Sequence, residues 1–201
     1  MNKYQVIVLA AGYSQNLYPL IHSEPKHLLP IGNKPMLAYV LEYLESFKFK
    51  DIIVVGNSTT NAEELTNYLG DRYKPIQKEG HRSNIELYIP DRHRMVVELL
   101  PKMAEDGILE RDFILYGGDL ISDINLLEVL DFHHLNRATM TTVLLNDPKD
   151  QEKGKTTAFS NPKDIYMVYG LEKESNRILC ALPNDQLKEE GLKLKTSILC
   201  R

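Results

Sequence analysis

The chain has 201 residues, 43% of them hydrophobic and 26% charged, which suits one globular domain with a sizeable core. A formal net charge of −4 and a pI near 5.9 give no basic footprint for direct nucleic-acid binding, and no apolar run reaches the length of a membrane span. Met1-Asn2-Lys3 leads straight into a strand-like run rather than a signal peptide, and the two cysteines, Cys180 and Cys200, fit reduced thiols of a cytosolic chain better than a disulfide.

The run Val6 to Ala11 reads as a short buried parallel strand that breaks at Gly12. A loop of mixed polarity follows, with Lys26 framed by Pro25 and His27. A turn at Gly32-Asn33 comes next, and Pro35 stands at the expected first position of a helix. Leu37, Val40, Leu41, Leu44 and Phe47 then recur at helical spacing over Met36 to Phe47. Asp51 to Gly56 is a second buried strand. Asn61 can cap a helix through Tyr68, with Glu63 and Glu64 placed for its dipole and Gly70 closing it.

Residues 71–84 are charged and glycine-bearing and read as a loop; Ile85 to Ile89 is a third strand. Met95 to Ala104 is helical, with Pro101 implying a kink or a late start. Phe113 to Tyr116 is a fourth strand, broken by Gly117-Gly118-Asp119, and a helix is expected from Asp123 to about Asn136. Thr139 to Leu145 is β-rich, and Asp147 to Pro162 is a polar loop. Ile165 to Leu171 and Arg177 to Leu182 form a hairpin, and Leu194 to Cys200 a last strand. Strand–helix alternation of this kind implies a parallel sheet covered on both faces.

An open sheet of this type binds phosphates where a strand ends in a glycine-started loop, because backbone amides there point outward. Ala11, Gly12 and the cation Lys26 are the residues in that position; the bland alternative for Lys26 is a solvated loop lysine. Other patterns carry less. Gly154-Lys155-Thr156 imitates the end of a P-loop but has Lys149 where the first glycine belongs. His133 and His134 are adjacent on a helix and point about 100° apart, which makes a shared metal ion difficult. Asn57-Ser58-Thr59 matches a glycosylation acceptor and reads as a polar loop.

The wording L-A-A-G at residues 9–12, then P-K-H-L-L-P-I-G-N-K-P-M-L at 25–37, resembles the amino-terminal signature of the sugar-nucleotide pyrophosphorylases. With GGDLISDINLLEVLDFHH at 117–134 and the carboxyl end KTSILCR, it is most similar to their relatives, the gamma subunits of eukaryotic translation initiation factor 2B. The resemblance implies a Rossmann-like three-layer α/β/α nucleotidyltransferase domain over 1–201, with a mixed, mostly parallel central sheet and a β-hairpin near its end. It also implies a longer family chain that continues into a left-handed β-helix region.

Active members of that superfamily cradle the triphosphate in a G-x-G-T-R loop. Here Ser14 stands at the second glycine and Asn16 at the arginine. Losing one preorganised charge stabiliser of that kind costs about 3–4 kcal/mol in the transition state. The G-T-A element before a later helix is replaced by bulky residues at 92–97. Asp119 matches the family's magnesium ligand, although an aspartate there can equally cap the turn that follows; a single carboxylate holds Mg²⁺ weakly unless substrate phosphates complete the site.

The resemblance thus implies a non-catalytic domain of a cytosolic guanine-nucleotide exchange factor. Its expected partners are the epsilon and other subunits and initiation factor 2, with no required cofactor and with Mg²⁺ and GTP as candidate ligands. Two alternatives stay open: an active sugar-1-phosphate nucleotidyltransferase, and a sensor that binds a nucleoside triphosphate without turning it over.

Overall fold

The apolar runs separated by glycine and proline become short strands joined by helices. The computed structural model describes residues 3–12, 17–22, 24–57, 62–73, 83–91, 96–144, 167–172 and 174–183. Numbered along the chain, the elements begin with β1 (Gln5–Leu9), β2 (Pro30–Ile31), β3 (Lys34–Pro35), α1 (Met36–Ser46), β4 (Asp51–Val55) and α2 (Ala62–Asn67). They continue with β5 (Asn84–Tyr88), α3 (Val96–Glu105), β6 (Phe113–Gly117), α4 (Leu126–Leu135), β7 (Met167–Leu171) and β8 (Ile178–Pro183). They fall into two compact units, Met1–Thr142 and Val143–Arg201.

In the first unit the central sheet has the order β5-β4-β1-β6, and every described pairing in it is parallel. Val6 lies opposite Ile52 and Ile114, and Val8 opposite Val54 and Tyr116. Because side chains alternate across a strand, these residues face one side and Ile7 and Ile53 the other. On the first side α1 inserts Leu37, Val40, Leu41 and Leu44, with Leu65 of α2 and Leu126 and Leu130 of α4 in the same cluster. On the second side α3 packs Leu99 and Met103, one helical turn apart, against Ile7, Ile53 and Val55. Fully burying a leucine contributes about 1.5–3 kcal/mol, so α1 alone is strongly anchored. These two faces with helices on each are the three layers expected.

Several boundaries move for local physical reasons. Pro35 pairs in β3 and occupies the N-cap of α1 rather than its first turn. Gly70 does not close α2; it lies within a π turn, Tyr68–Arg72, in which the Tyr73 amide donates to the Tyr68 carbonyl at 2.8 Å. Pro101 sits inside α3 on its exposed side, and the helix runs on through Glu105. The helix expected from Asp123 starts instead after Asn125, whose Oδ1 accepts from the Leu127 amide at 3.1 Å while its Nδ2 donates to Glu128. Residues 139–144 form no strand; β propensity alone does not make one, and they have no ladder partner among the described residues.

In the second unit β7 and β8 form the antiparallel hairpin read from the sequence. Gly170 leaves room there: a Cβ on it would lie 2.6 Å from Sγ of Cys180, a free thiol on the facing strand, which would have to shift. The last predicted strand, Leu194 to Cys200, and the loop Asp147 to Pro162 lie outside the described residues.

Candidate functional site

Strand order runs outward from β1 to β4 and β5, then returns to place β6 on the other side of β1. That reversal is the topological switch point, and ligands of open α/β sheets bind in the crevice at the carboxyl ends of the two strands that flank it. Two loops meet there. The one after β1 returns through a 3₁₀ turn, Lys26–Leu28, closed by the Leu28 amide donating to the Pro25 carbonyl at 2.8 Å. The turn buries His27 and Leu28 and leaves Lys26 at the rim. The other loop follows β6, where Gly117 completes the strand and Gly118-Asp119 turns away.

Nζ of Lys26 donates to Oδ2 of Asp119 at 2.6 Å. Burial pushes the Asp119 carboxyl up, but the Lys26 hydrogen bond and charge outweigh it and hold the group below its usual value. His27, 1% exposed, lies directly beneath. Burial lowers its pKa to about 4, with the Lys26 charge adding to the effect and Asp119 opposing it, so the imidazole is neutral near pH 7. Its Nδ1 has no hydrogen-bond partner among the described residues. Among the described residues the rim therefore carries one cation, already matched by one anion.

Two glycines let these groups approach. A Cβ on Gly12 would lie 2.9 Å from Nζ and 3.0 Å from Cε of Lys26, so the lysine lies against bare backbone. A Cβ on Gly118 would lie 2.7 Å from the Leu9 carbonyl oxygen and 3.1 Å from Cδ2 of His27. The Gly118 amide donates to that same carbonyl at 2.9 Å, tying the end of β6 to the end of β1.

Of the residues singled out by sequence, Ala11, Gly12, Lys26 and Asp119 are gathered at the switch point. Ser14 and Asn16 lie outside the described residues, as do residues 92–95 and Gly154-Lys155-Thr156. Lys26 is not a solvated loop lysine, being 17% exposed and ion-paired. His133 and His134 bond separately, to Thr141 and to Tyr4. Asn57 is buried, which keeps it from any glycan. Sequence reading missed His27 and the contact that fixes Gly118; the one signal for His27 was its place between Lys26 and two leucines.

For Mg²⁺, Asp119 is the carboxylate at this rim, and among the described residues no three His, Cys, Asp or Glu side chains gather to hold a metal ion. With Oδ2 engaged by Lys26, the residue fits a metal that arrives with a phosphate ligand rather than one bound by protein alone.

A parallel sheet with helices on both faces and a lysine–aspartate pair at its switch point defines an open α/β domain of the Rossmann-like class. The family model for nucleotidyl transferases matches residues 5–155, and the chain belongs to that family. It is 28% identical over 208 aligned positions to the translation initiation factor eIF2B subunit gamma of Dictyostelium discoideum, covering 98% of this chain and 46% of that one. It is 31% identical to the Schizosaccharomyces pombe subunit of the same name, covering 89% of this chain and 37% of that one. The chain thus spans about half, or less, of the length of these relatives. Among solved structures, HddC of Yersinia pseudotuberculosis superposes with a TM-score of 0.52 at 20% identity, over 65% of this chain and 54% of that one. No described helix is long and apolar enough to cross a membrane.

Proposed function

We propose that this chain is the nucleotidyltransferase-like domain of a gamma-type subunit of a guanine-nucleotide exchange factor for translation initiation, acting in assembly rather than catalysis. The observation that carries this reading is the alignment with the gamma subunit of Dictyostelium discoideum along 98% of the chain. Supporting it, Asn16 replaces the family's arginine, and Lys26, the remaining matched cation, is neutralised by Asp119. On this reading the domain packs against an epsilon-type subunit in the cytosol, and the whole complex acts on initiation factor 2.

Two measurements test it. Affinity purification of the tagged chain should bring down the exchange complex. A pyrophosphate-release assay, with each nucleoside triphosphate, several sugar 1-phosphates and Mg²⁺, should show no enzyme-like turnover. Robust turnover makes the chain a sugar-1-phosphate nucleotidyltransferase instead.

A second reading has its own support in Lys26, which lies at the switch point beside Gly12: on it the chain binds GTP or another triphosphate without consuming it, and Asp119 is the residue that would hold an accompanying Mg²⁺. Calorimetry with GTP and ATP, comparing the chain with Lys26→Ala, tests this; no heat in either protein removes it.

A further inference from the structure

A second cavity, of about 650 Å³, opens between the prolines leading into α1 and the π turn after α2, within the size range of side-chain and small-ligand sites. Its chemistry is unbalanced. Among the described residues, Glu24, Glu42 and Glu64 reach it against one cation, Lys34. That lysine is already engaged, with Nζ 2.6 and 2.7 Å from the two oxygens of Glu42. Glu24 and Glu64 remain without an ammonium or guanidinium partner among the described residues.

The floor adds an independent observation. Tyr68 and Tyr73 both face this cavity, their rings 6.0 Å apart. The Tyr73 hydroxyl donates to Oε2 of Glu45 at 2.7 Å. Tyr68 is just as buried, at 7% exposed, yet its hydroxyl has no hydrogen-bond partner among the described residues. Burial first and the nearby Glu42 charge second raise its pKa, so it stays a neutral phenol. Its side chain is otherwise buried and lines the cavity, so this hydroxyl is placed to meet a polar group that enters it.

The walls narrow the class of partner. Pro25 (φ −58°, ψ 143°) and Pro35 (φ −57°, ψ 146°) are held in polyproline geometry and, with Leu28 and Ala38, present rigid apolar surface. A strongly hydrated ammonium suits such walls poorly. A guanidinium is planar and weakly hydrated, stacks on aromatic rings and carries five donors in a fixed fork. We propose that this cavity docks an arginine side chain presented by an extended basic segment of a partner protein. The acidic rim meets the guanidinium, the Tyr68 oxygen accepts one N–H, and apolar residues flanking the arginine cover the prolines. Apart from Asn67 the rest of the cavity wall is proline, leucine and alanine, which favours a peptide segment over a free polycation.

The test uses the 201-residue chain with ¹³C-labelled tyrosine rings, titrated with a short capped peptide that carries a central arginine between leucines. The expected result is saturable shifts of the Tyr68 and Tyr73 ring signals. Replacing the arginine by citrulline should weaken binding about tenfold, the loss of a charge-assisted pair. Glu64→Gln and Tyr68→Phe should each weaken it severalfold; Glu64 is exposed and the Tyr68 hydroxyl has no partner among the described residues, so both variants should fold. No shift with the arginine peptide overturns the proposal. So does equal binding of the citrulline or lysine peptide, or no effect of Glu64→Gln. Spermidine shifting the same rings as strongly as the peptide makes the cavity a small-polycation site and overturns the partner assignment.

Discussion

Lys26 and Asp119 lie 93 positions apart in the chain and meet at 2.6 Å across the switch point of the sheet. The loop that should offer a cation to a phosphate thus offers a neutral pair. The Asp119 side chain is 48% exposed, so the contact adds at most about 1 kcal/mol to stability. Its larger effect is on ligands, because an incoming phosphate must displace a carboxylate.

Asp119→Asn is therefore expected to raise affinity for metal-free inorganic tripolyphosphate about fivefold, from the removal of roughly 1 kcal/mol of competing charge near the surface. Lys26→Ala should abolish that binding. Isothermal titration at low ionic strength reads both; an unchanged Asp119→Asn affinity would mean that the pair does not block the site.

Gly118→Ala should destabilise the fold by about 2 kcal/mol or more, since its Cβ would strike the Leu9 carbonyl rather than a flexible side chain. Gly70→Ala is the matched control: a Cβ there meets nothing within 4 Å, so urea melts should give a change of about zero to 1 kcal/mol in the stabilising direction. Equal losses in the two variants would contradict the steric assignment.

His27 sets an acid-sensitive window. Its pKa in the folded chain is about 4 against an ordinary 6.5, so above pH 6.5 both states are neutral and the fold keeps its full stability. Between pH 6.5 and 4 the unfolded chain binds a proton that the folded one refuses, and stability falls by roughly 3 kcal/mol. Below pH 4 this contribution levels off. The Asp119 contribution, from a lowered pKa, is lost only at lower pH, below its ordinary 3.8. Urea melts of the chain and of His27→Gln from pH 7.5 to 4 should diverge in slope; parallel curves would place the acid sensitivity elsewhere.

Tyr73→Phe should cost about 1–3 kcal/mol, because it removes the 2.7 Å donor to Oε2 of Glu45 inside a buried cluster. Tyr68→Phe should cost much less, since its hydroxyl has no partner among the described residues. Denaturant midpoints of the two variants at pH 7 check the ordering.

Much of the fold was legible in the chain itself. Val6 to Leu9 and Ile52 to Val55 announce buried strands, and Phe113 to Tyr116 a partly exposed one, by apolar runs that stop at glycine or a polar turn, and α1 is announced by its heptad-like leucines. These are local signals, and side-chain periodicity with glycine and proline punctuation specifies them without reference to distant residues. Lys26 stood out by its frame of Pro25 and His27, and Asp119 by the resemblance of its strand-end position to the family's magnesium ligand.

What the chain could not announce depends on which strands become neighbours. The pairing of Lys26 with Asp119, the burial of His27 against Gly118, and the closeness of Gly118 to the Leu9 carbonyl all follow from β6 returning to lie beside β1. Residues 139–144 show the reverse case, a β-rich run that forms no strand among the described residues. Local sequence fixes the propensity of each segment, but long-range packing free energy selects the register and the neighbours. The charge balance and the spare phenol of Tyr68 were therefore decided by the tertiary structure.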